Sequence, residues 1–524
     1  MSEREEHTLP DHRSELARNS GAMAASRLIA ASASLVAIPL VIRDLGLVRF
    51  GLWESIVAIA SLSTTITGPG GGTLLWKMSV AWGEQDGPAL RRLLRAGAVG
   101  TLILTVVLLL IAVLMRPLVI RFLRVTNSEA GIVQTLFVAL VALVFLTGIN
   151  ETLGALNSAM QRVRVTSFGQ TAGQIIMYTV SVVGLRIGLG LQAMLIGVAA
   201  GQMVTALLLM AGVRRGLIGL ATDGGGPFRL GRAAGRYFAL LTVGAVSAVL
   251  RGQTDRLVLA GLASPVWAGY YSMAARMANL LMEFSNLLYV PTIAAAGALM
   301  GAGRWGAIRS LFLDTMKAVS TGGAFLGVLL IGLPEPLLLL WIGSPLPEAS
   351  LILRIIAAGT LVALLTTGPG TAICKGIGRP GIETHYIIVG LILNVVLTVS
   401  LSLTIGAIGT VIASSVSWAV SALYFVFLLH RRLNLPRVAT RRAAATLAGV
   451  IVAALVTGGL ARLLPAPASR PGALLALLGI APVGFGVLLA AGRWSGGIGI
   501  LDATALANSL WRRMQPPGPR IETV

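Results

Sequence analysis

Long runs of apolar residues recur along this chain, separated by short stretches that hold most of its charge. Most runs approach or exceed the roughly 20 residues an α-helix needs to cross a hydrocarbon core. The pattern predicts fourteen spanning helices, near residues 20–42, 50–79, 96–115, 131–157, 167–185, 188–212, 236–262, 266–298, 316–333, 349–374, 382–404, 407–430, 443–464 and 471–492. The runs are duplicated at a separation of about 217 residues: Val213-Arg214-Arg215 closes span six, and His430-Arg431-Arg432 closes span twelve. Gly51-Leu52-Trp53 opens span two as Gly269-Tyr270-Tyr271 opens span eight. Thr147-Gly148 in span four is answered by Thr367-Gly368 in span ten. Parallel repeats of this kind are a transporter architecture, with the working site expected where the halves meet.

The expected fold is an all-α polytopic membrane protein of about fourteen transmembrane helices. A cytoplasmic tail (1–19) precedes an N-lobe (20–215), and a cytoplasmic linker (216–235) leads to a C-lobe (236–432). A C-terminal helix pair (433–492) and a cytoplasmic tail (493–524) follow. The two lobes are expected to hold six helices each and to be related by pseudo-two-fold symmetry.

Of 524 residues, 56% are hydrophobic and 12% charged, and mean hydropathy is +0.85, so ordinary soluble domains are excluded. A net charge of +21 would suggest nucleic acid as a partner for a soluble protein. Here the basic residues crowd the short loops: 27 of 41 fall on the side of the N-terminus and 8 on the other. That bias places both termini in the cytoplasm and makes membrane lipids, with no nucleic acid, the expected surroundings. The arginine-heavy, alanine- and glycine-rich composition hints at a bacterial inner membrane. One outward segment runs against the bias, with Arg116, Arg121 and Arg124, and reads as amphipathic. Cys374 is the single cysteine and the four histidines are dispersed, so no metal centre is expected. No phosphate-binding loop, HExxH or Gly-x-Ser-x-Gly run occurs, and no outward loop exceeds about twenty residues. An enzyme or ATP-driven pump is therefore not expected, and no cofactor is called for.

Six basic residues lie inside spans: Arg27, Lys77, Arg251, Arg256, Arg276 and Arg354. Ionisable groups there cost several kilocalories per mole unless they face a cavity or a partner. Counted along the helices, Arg251 in span seven and Arg276 in span eight lie at one depth, about 15 Å from the outer end. Together they suggest a cationic cavity fit for pyrophosphate, which arginine grips bidentately. Arg27, Arg256 and Lys77 are further candidates for this cavity. Arg251 and Asp255 are four residues apart on one helix face, so mutual neutralisation is an equal reading of that pair. Asp255, Glu283, Glu54 and Glu151 are the acids available for pairing or for coupling to protons or sodium. Gly68, Pro69 and Gly70 in span two, and Gly368, Pro369 and Gly370 in span ten, read as helix breaks and candidate hinges, or as packing kinks. Pro334, Pro336 and Trp341 read as an interface turn.

Several runs resemble the Wzx-type polysaccharide flippases of the multidrug/oligosaccharidyl-lipid/polysaccharide superfamily. They are Leu45-Gly46-Leu47-Val48-Arg49-Phe50-Gly51-Leu52-Trp53 and Thr254-Asp255-Arg256-Leu257-Val258-Leu259-Ala260, the latter leading into Ala268-Gly269-Tyr270-Tyr271-Ser272-Met273-Ala274. Gly376-Ile377-Gly378-Arg379, Leu393-Asn394-Val395 and Gly406-Ala407-Ile408-Gly409-Thr410 extend the likeness, which covers roughly residues 20–435. The resemblance implies alternating access through a central cationic cavity between two lobes. It implies as cargo undecaprenyl-pyrophosphate-linked oligosaccharide, carried to the periplasmic leaflet, and a polysaccharide polymerase as a partner. Alternatives are a lipid II flippase or a cation-coupled multidrug exporter of the same superfamily. A non-transporting scaffold and a glycan-assembly enzyme are more distant rivals.

Overall fold

The computed structural model describes residues 12–84, 86–125, 127–160, 162–217, 250, 252–301, 303–379, 381–434 and 437–495. Most of the expected linker at 216–235 and of both terminal tails, the start of span seven and Arg251 lie outside these residues. Among the described residues every regular element is helical, and nine helices are long and apolar enough to cross a membrane. The chain is a multi-pass membrane protein. It separates into two compact units, Met1–Gln253 with Ser264–Val266, and Thr254–Ala263 with Trp267–Val524.

The N-terminal unit contains α1 (His12–Leu45), α2 (Leu47–Gly83), α3 (Gly87–Leu123), α4 (Asn127–Ala142), α5 (Val144–Ala159), α6 (Val163–Arg186) and α7 (Leu191–Leu217). In lipid there is little hydrophobic force between helices, so small residues and polar side chains decide which faces meet. α6 and α7 follow that rule. A Cβ at Gly173 would lie 2.6 Å from the carbonyl oxygen of Gly201, and one at Gly201 would lie 2.5 Å from that of Gly173. α5 is tied to α7 by amides: Asn150 Nδ2 donates to the side-chain and main-chain oxygens of Gln202, and Asn157 Nδ2 donates to Leu209 O at 2.9 Å. Gly201→Val should destabilise the protein by about 1–3 kcal/mol, because backbone atoms on the facing helix cannot yield. Gly131→Ala, where a Cβ meets open space, is the control and should change stability by less than about 0.5 kcal/mol. Thermal unfolding of both variants in detergent checks the contrast.

Two local details of this unit differ from the sequence pattern. Span four runs through α4 and α5 as one span with a one-residue irregularity at Leu143, which keeps helical backbone bonds on both sides, and the Thr147 hydroxyl bonds back to the Leu143 carbonyl at 3.2 Å. Such back-bonding bends helices. The arginine-rich outward segment is no loop. α3 runs on to Leu123 and ends at Arg124 in the left-handed conformation.

The C-terminal unit begins with α8 (252–258), whose last turn is the π-helical Leu259–Ala263. It continues through α9 (Pro265–Gly301), α10 (Trp305–Gly332), α11 (Pro334–Ile342) and α12 (Pro347–Gly376). α13 (Gly381–Leu433), α14 (Arg437–Leu463) and α15 (Arg470–Ser495) complete it. α13 comprises spans eleven and twelve, joined at Gly406, whose φ of 65° and ψ of −145° are non-helical and open to glycine alone. α14 and α15 pack on each other and on α10. Thr457 of α14 fills the spaces left by Gly332 of α10 and Gly484 of α15. The terminal pair is thus an integral part of this unit. The expected interface turn at Pro334 and Pro336 is the short helix α11, with Pro334 in its first turn and Gly343 (φ 95°) at its end. Arg470 donates to the Ile342 carbonyl at 2.9 Å and so caps it.

The expected helix breaks do not occur. α2 is continuous through Gly68, Pro69 and Gly70, and α12 through Gly368, Pro369 and Gly370. Around Pro369, hydroxyls bond back to the main chain: Thr366 to Val362 O (2.6 Å), Thr367 to Ala363 O (2.7 Å) and Thr371 to Gly368 O (2.9 Å). None of them reaches Leu365 O, the carbonyl that lacks a helical donor because Pro369 has no N–H. The glycines serve close approach instead. A Cβ at Gly368 would press on Ser285 Oγ of α9, and one at Gly370 on Leu429 and Phe425 of α13.

Candidate functional site

Asp255 of α8 is 2% exposed, the deepest carboxylate among the described residues. Its position follows from periodicity: Asp255, Leu259 and Ala260 share the buried side of α8. α9 supplies Tyr271, whose hydroxyl donates to Asp255 Oδ2 at 2.6 Å. The first half of α13 supplies Asn394, whose Nδ2 lies 3.4 Å from Asp255 Oδ1 and 3.1 Å from Ser414 Oγ. Ser414 stands on the second half of α13, past Gly406. The glycine joint thus lets two stretches of one element face the same carboxylate. All four residues belong to the C-terminal unit.

The helices that supply these partners carry further buried oxygens that no hydrogen bond among the described residues uses. Ser272 Oγ, Asn394 Oδ1, Thr398 Oγ1 and Thr410 Oγ1 are buried and have no hydrogen-bond partner among the described residues. Thr398 is one helical turn from Asn394, and Thr410 one turn from Ser414, so each shares the face of its neighbour. A buried polar atom without a partner costs about 1–3 kcal/mol and calls for an explanation. A carboxylate among hard neutral oxygens is the donor set for a proton or an alkali cation, and lacks the imidazole or thiolate of a transition-metal site. Among the described residues no group of three His, Cys, Asp or Glu side chains could hold a metal ion.

The other candidates are more scattered. Arg256 follows Asp255 on α8, and Arg276 stands on α9; both are half-buried and neither is without a partner. Glu283, one helical turn beyond Asn279 on α9, is half-buried. In the N-terminal unit, Lys77 is half-buried on α2 and Glu54 is 3% exposed on the same helix. Glu151 is half-buried on α5, with Oε2 buried and without a hydrogen bond among the described residues. Arg27 lies on α1, but its side chain, like Arg251, is outside the described residues. Arg354 is a surface tie, with Nη2 3.2 Å from Glu335 and Nε donating to Ile331 O.

The structure therefore gathers one expected residue, Asp255, with three that the sequence pattern gave no role: Tyr271, Asn394 and Ser414. Their signal was present as amide and hydroxyl side chains within apolar spans.

No protein-family model matches this sequence, and no curated protein matches it. Solved structures do. A lipid II flippase, MurJ, in an inward closed conformation has 14% sequence identity and a TM-score of 0.65, over 93% of this chain and 100% of that chain. An outward-facing multidrug resistance MATE family transporter of the MOP superfamily has 14% identity and a TM-score of 0.58, over 80% of this chain and 96% of that one. The MATE multidrug transporter DinF-BH has 14% identity and a TM-score of 0.57, over 83% of this chain and 98% of that one. The chain has the fold of these transporters.

Proposed function

We propose that the chain is a secondary transporter that flips undecaprenyl-pyrophosphate-linked oligosaccharide repeat units from the cytoplasmic to the periplasmic leaflet of a bacterial inner membrane, for polysaccharide biosynthesis. The observation that carries the choice of a lipid-linked cargo is the reach of the structural likeness. It extends over 93% of the chain for the lipid II flippase and 80% for the MATE transporter. The added share is close to the length of α14 and α15, which are built into the C-terminal unit through Gly332, Thr457 and Gly484. The sequence resemblance to polysaccharide flippases supports an oligosaccharide head.

In this reading Arg276 and Arg256 grip the pyrophosphate, and Lys77, Arg27 and Arg251 are further cationic candidates for an alternating-access route. Both termini are cytoplasmic, and a polysaccharide polymerase receives the product. Asp255 is the coupling group, taking up a proton or sodium ion among the oxygens of Asn394, Ser414, Thr398 and Thr410. Glu54, Glu151 and Glu283 are secondary coupling candidates. Gly368 and Gly370 are close-packing points about which helices shift during access, and Gly68, Pro69 and Gly70 are further hinge candidates. The likeness to the lipid II flippase equally favours a peptidoglycan-precursor cargo, and the MATE likeness keeps a cation-coupled drug exporter in contention.

Deleting the gene in its native host separates these readings. Loss of surface polysaccharide, with lipid-linked repeat units accumulating on the cytoplasmic side, is the expected result. Accumulation of lipid II would assign the peptidoglycan cargo. Unchanged glycans in a strain without a second flippase, together with new sensitivity to amphipathic cations, would assign drug export.

A further inference from the structure

The charge bias that orients the chain turns the end of α3 outward, where basic residues are scarce. Yet Arg116, Arg121 and Arg124 fall there within nine residues. On α3 the buried residues Leu108, Ala112, Val119 and Leu123 repeat every four, seven and four positions and form the ridge packed in the N-terminal unit. Arg116 lies on that ridge between Ala112 and Val119. It is half-buried, and its Nε is buried without a hydrogen bond among the described residues. Arg121 and Arg124 are exposed. None of the three has an ion pair among the described residues, and Glu129, the acid that opens α4, is held by Arg49 at 3.1 Å.

Beside Arg121 and Arg124 α3 presents an apolar face made by Ile111, Leu114, Leu118 and Phe122, with Leu114 72% and Leu118 58% exposed. At 37 residues α3 is about 55 Å long. The hydrocarbon core is about 30 Å thick, so the helix end reaches the outer headgroups while Leu114 remains at the level of acyl chains. Arg121 and Arg124, without an ion pair among the described residues and on the side where charge is disfavoured, border this exposed apolar face, whereas Arg116 lies on the opposite, packed side of α3.

We infer that the outer end of α3 binds the headgroup phosphate of an anionic phospholipid of the outer leaflet, with an acyl chain lying along Leu114 and Leu118. Arginine forks match phosphate oxygens bidentately, and the exposed Arg121 and Arg124 present theirs beside that apolar face. The site would anchor the N-terminal unit in the bilayer and is independent of the transported cargo. It rests on the orientation of the chain.

The test is native mass spectrometry of the full chain in detergent, offered phosphatidylglycerol and phosphatidylethanolamine in equal amounts. The wild type is expected to retain phosphatidylglycerol preferentially. The double variant Arg121→Gln/Arg124→Gln, whose side chains are exposed and leave the packed ridge intact, should lose about fivefold in that preference per guanidinium removed. Arg116→Gln, on the packed side of α3, and Arg214→Gln/Arg215→Gln, at the other end of the N-terminal unit, should lose none. Equal retention by the double variant and the wild type would overturn the site. So would displacement of phosphatidylglycerol by undecaprenyl pyrophosphate at lower concentration than phosphatidylglycerol itself requires, which would assign the arginines to the cargo. Free inorganic phosphate should not compete; if it does, the lipid tail has no part. Arg121→Cys should react with a membrane-impermeant maleimide in intact spheroplasts, since the native Cys374 is buried. Labelling only after permeabilisation would overturn the outer-leaflet placement.

Discussion

Asp255→Asn is expected to slow ion-driven translocation by at least about tenfold while leaving the folded protein intact, and this is the first of two large effects. The amide keeps the shape of the carboxylate and can still accept from the Tyr271 hydroxyl, which lies 2.6 Å from Oδ2. What it removes is the negative charge, without which neither a proton nor a sodium ion is held among the orphaned oxygens of Asn394, Thr398 and Thr410. Asp255→Glu preserves the charge but pushes it about 1.5 Å further out, into a pocket already filled by Tyr271 and Asn394, and should be almost as damaging. Tyr271→Phe is the milder probe. It deletes one hydrogen bond to a charged group, a change of about 1.5–3 kcal/mol, so ion affinity should shift by roughly one to two orders of magnitude with the site still present.

The measurement is translocation of a fluorescent prenyl-pyrophosphate sugar in proteoliposomes under an imposed pH or sodium gradient. Wild-type flux that responds to one gradient, and Asp255→Asn flux that responds to neither, would assign both the site and the ion. An Asn variant that keeps the full gradient response would remove Asp255 from coupling. Coupling would then fall to the N-terminal unit, where Glu151 Oε2 is buried and unbonded among the described residues.

The spans were legible because the bilayer allows little else. Backbone groups in lipid must bond within their own segment, so apolar length translates directly into helices. The pocket was legible only at one corner. Asp255 announced itself as a charge in an apolar run, but Asn394 is 139 residues away in sequence and Ser414 a further 20. Nothing local pairs them. They meet because Gly406 folds α13 back on itself. The proline readings failed for the opposite reason. Pro369 is a breaker by its own chemistry, and the Thr366, Thr367 and Thr371 hydroxyls that bond the chain around it do so only within a formed helix. Arg116 is a third case: its place on the buried ridge of α3 becomes visible only when that helix is seen to run past it to Leu123.

The second large effect is expected at Arg276, where alanine should abolish surface polysaccharide at normal protein levels. Arg276 is half-buried on α9, five residues beyond the Tyr271 that serves Asp255. A guanidinium in such a setting can make two charge-assisted bonds to a pyrophosphate, each contributing about 1.5–3 kcal/mol. Losing both would slow a step that depends on them by roughly two orders of magnitude or more. Arg276→Lys keeps the charge but not the fork, so it should retain a small fraction of export. Arg276→Gln separates grip from packing, because it keeps part of the aliphatic stem and a donor while removing the charge. If Arg276 grips cargo, Gln should fail like Ala although its thermal unfolding matches the wild type. If it serves only to hold α9 in place, export should track stability across the three variants. Export that survives in Arg276→Ala would end its assignment to the cargo and leave Arg256 as the next residue to replace.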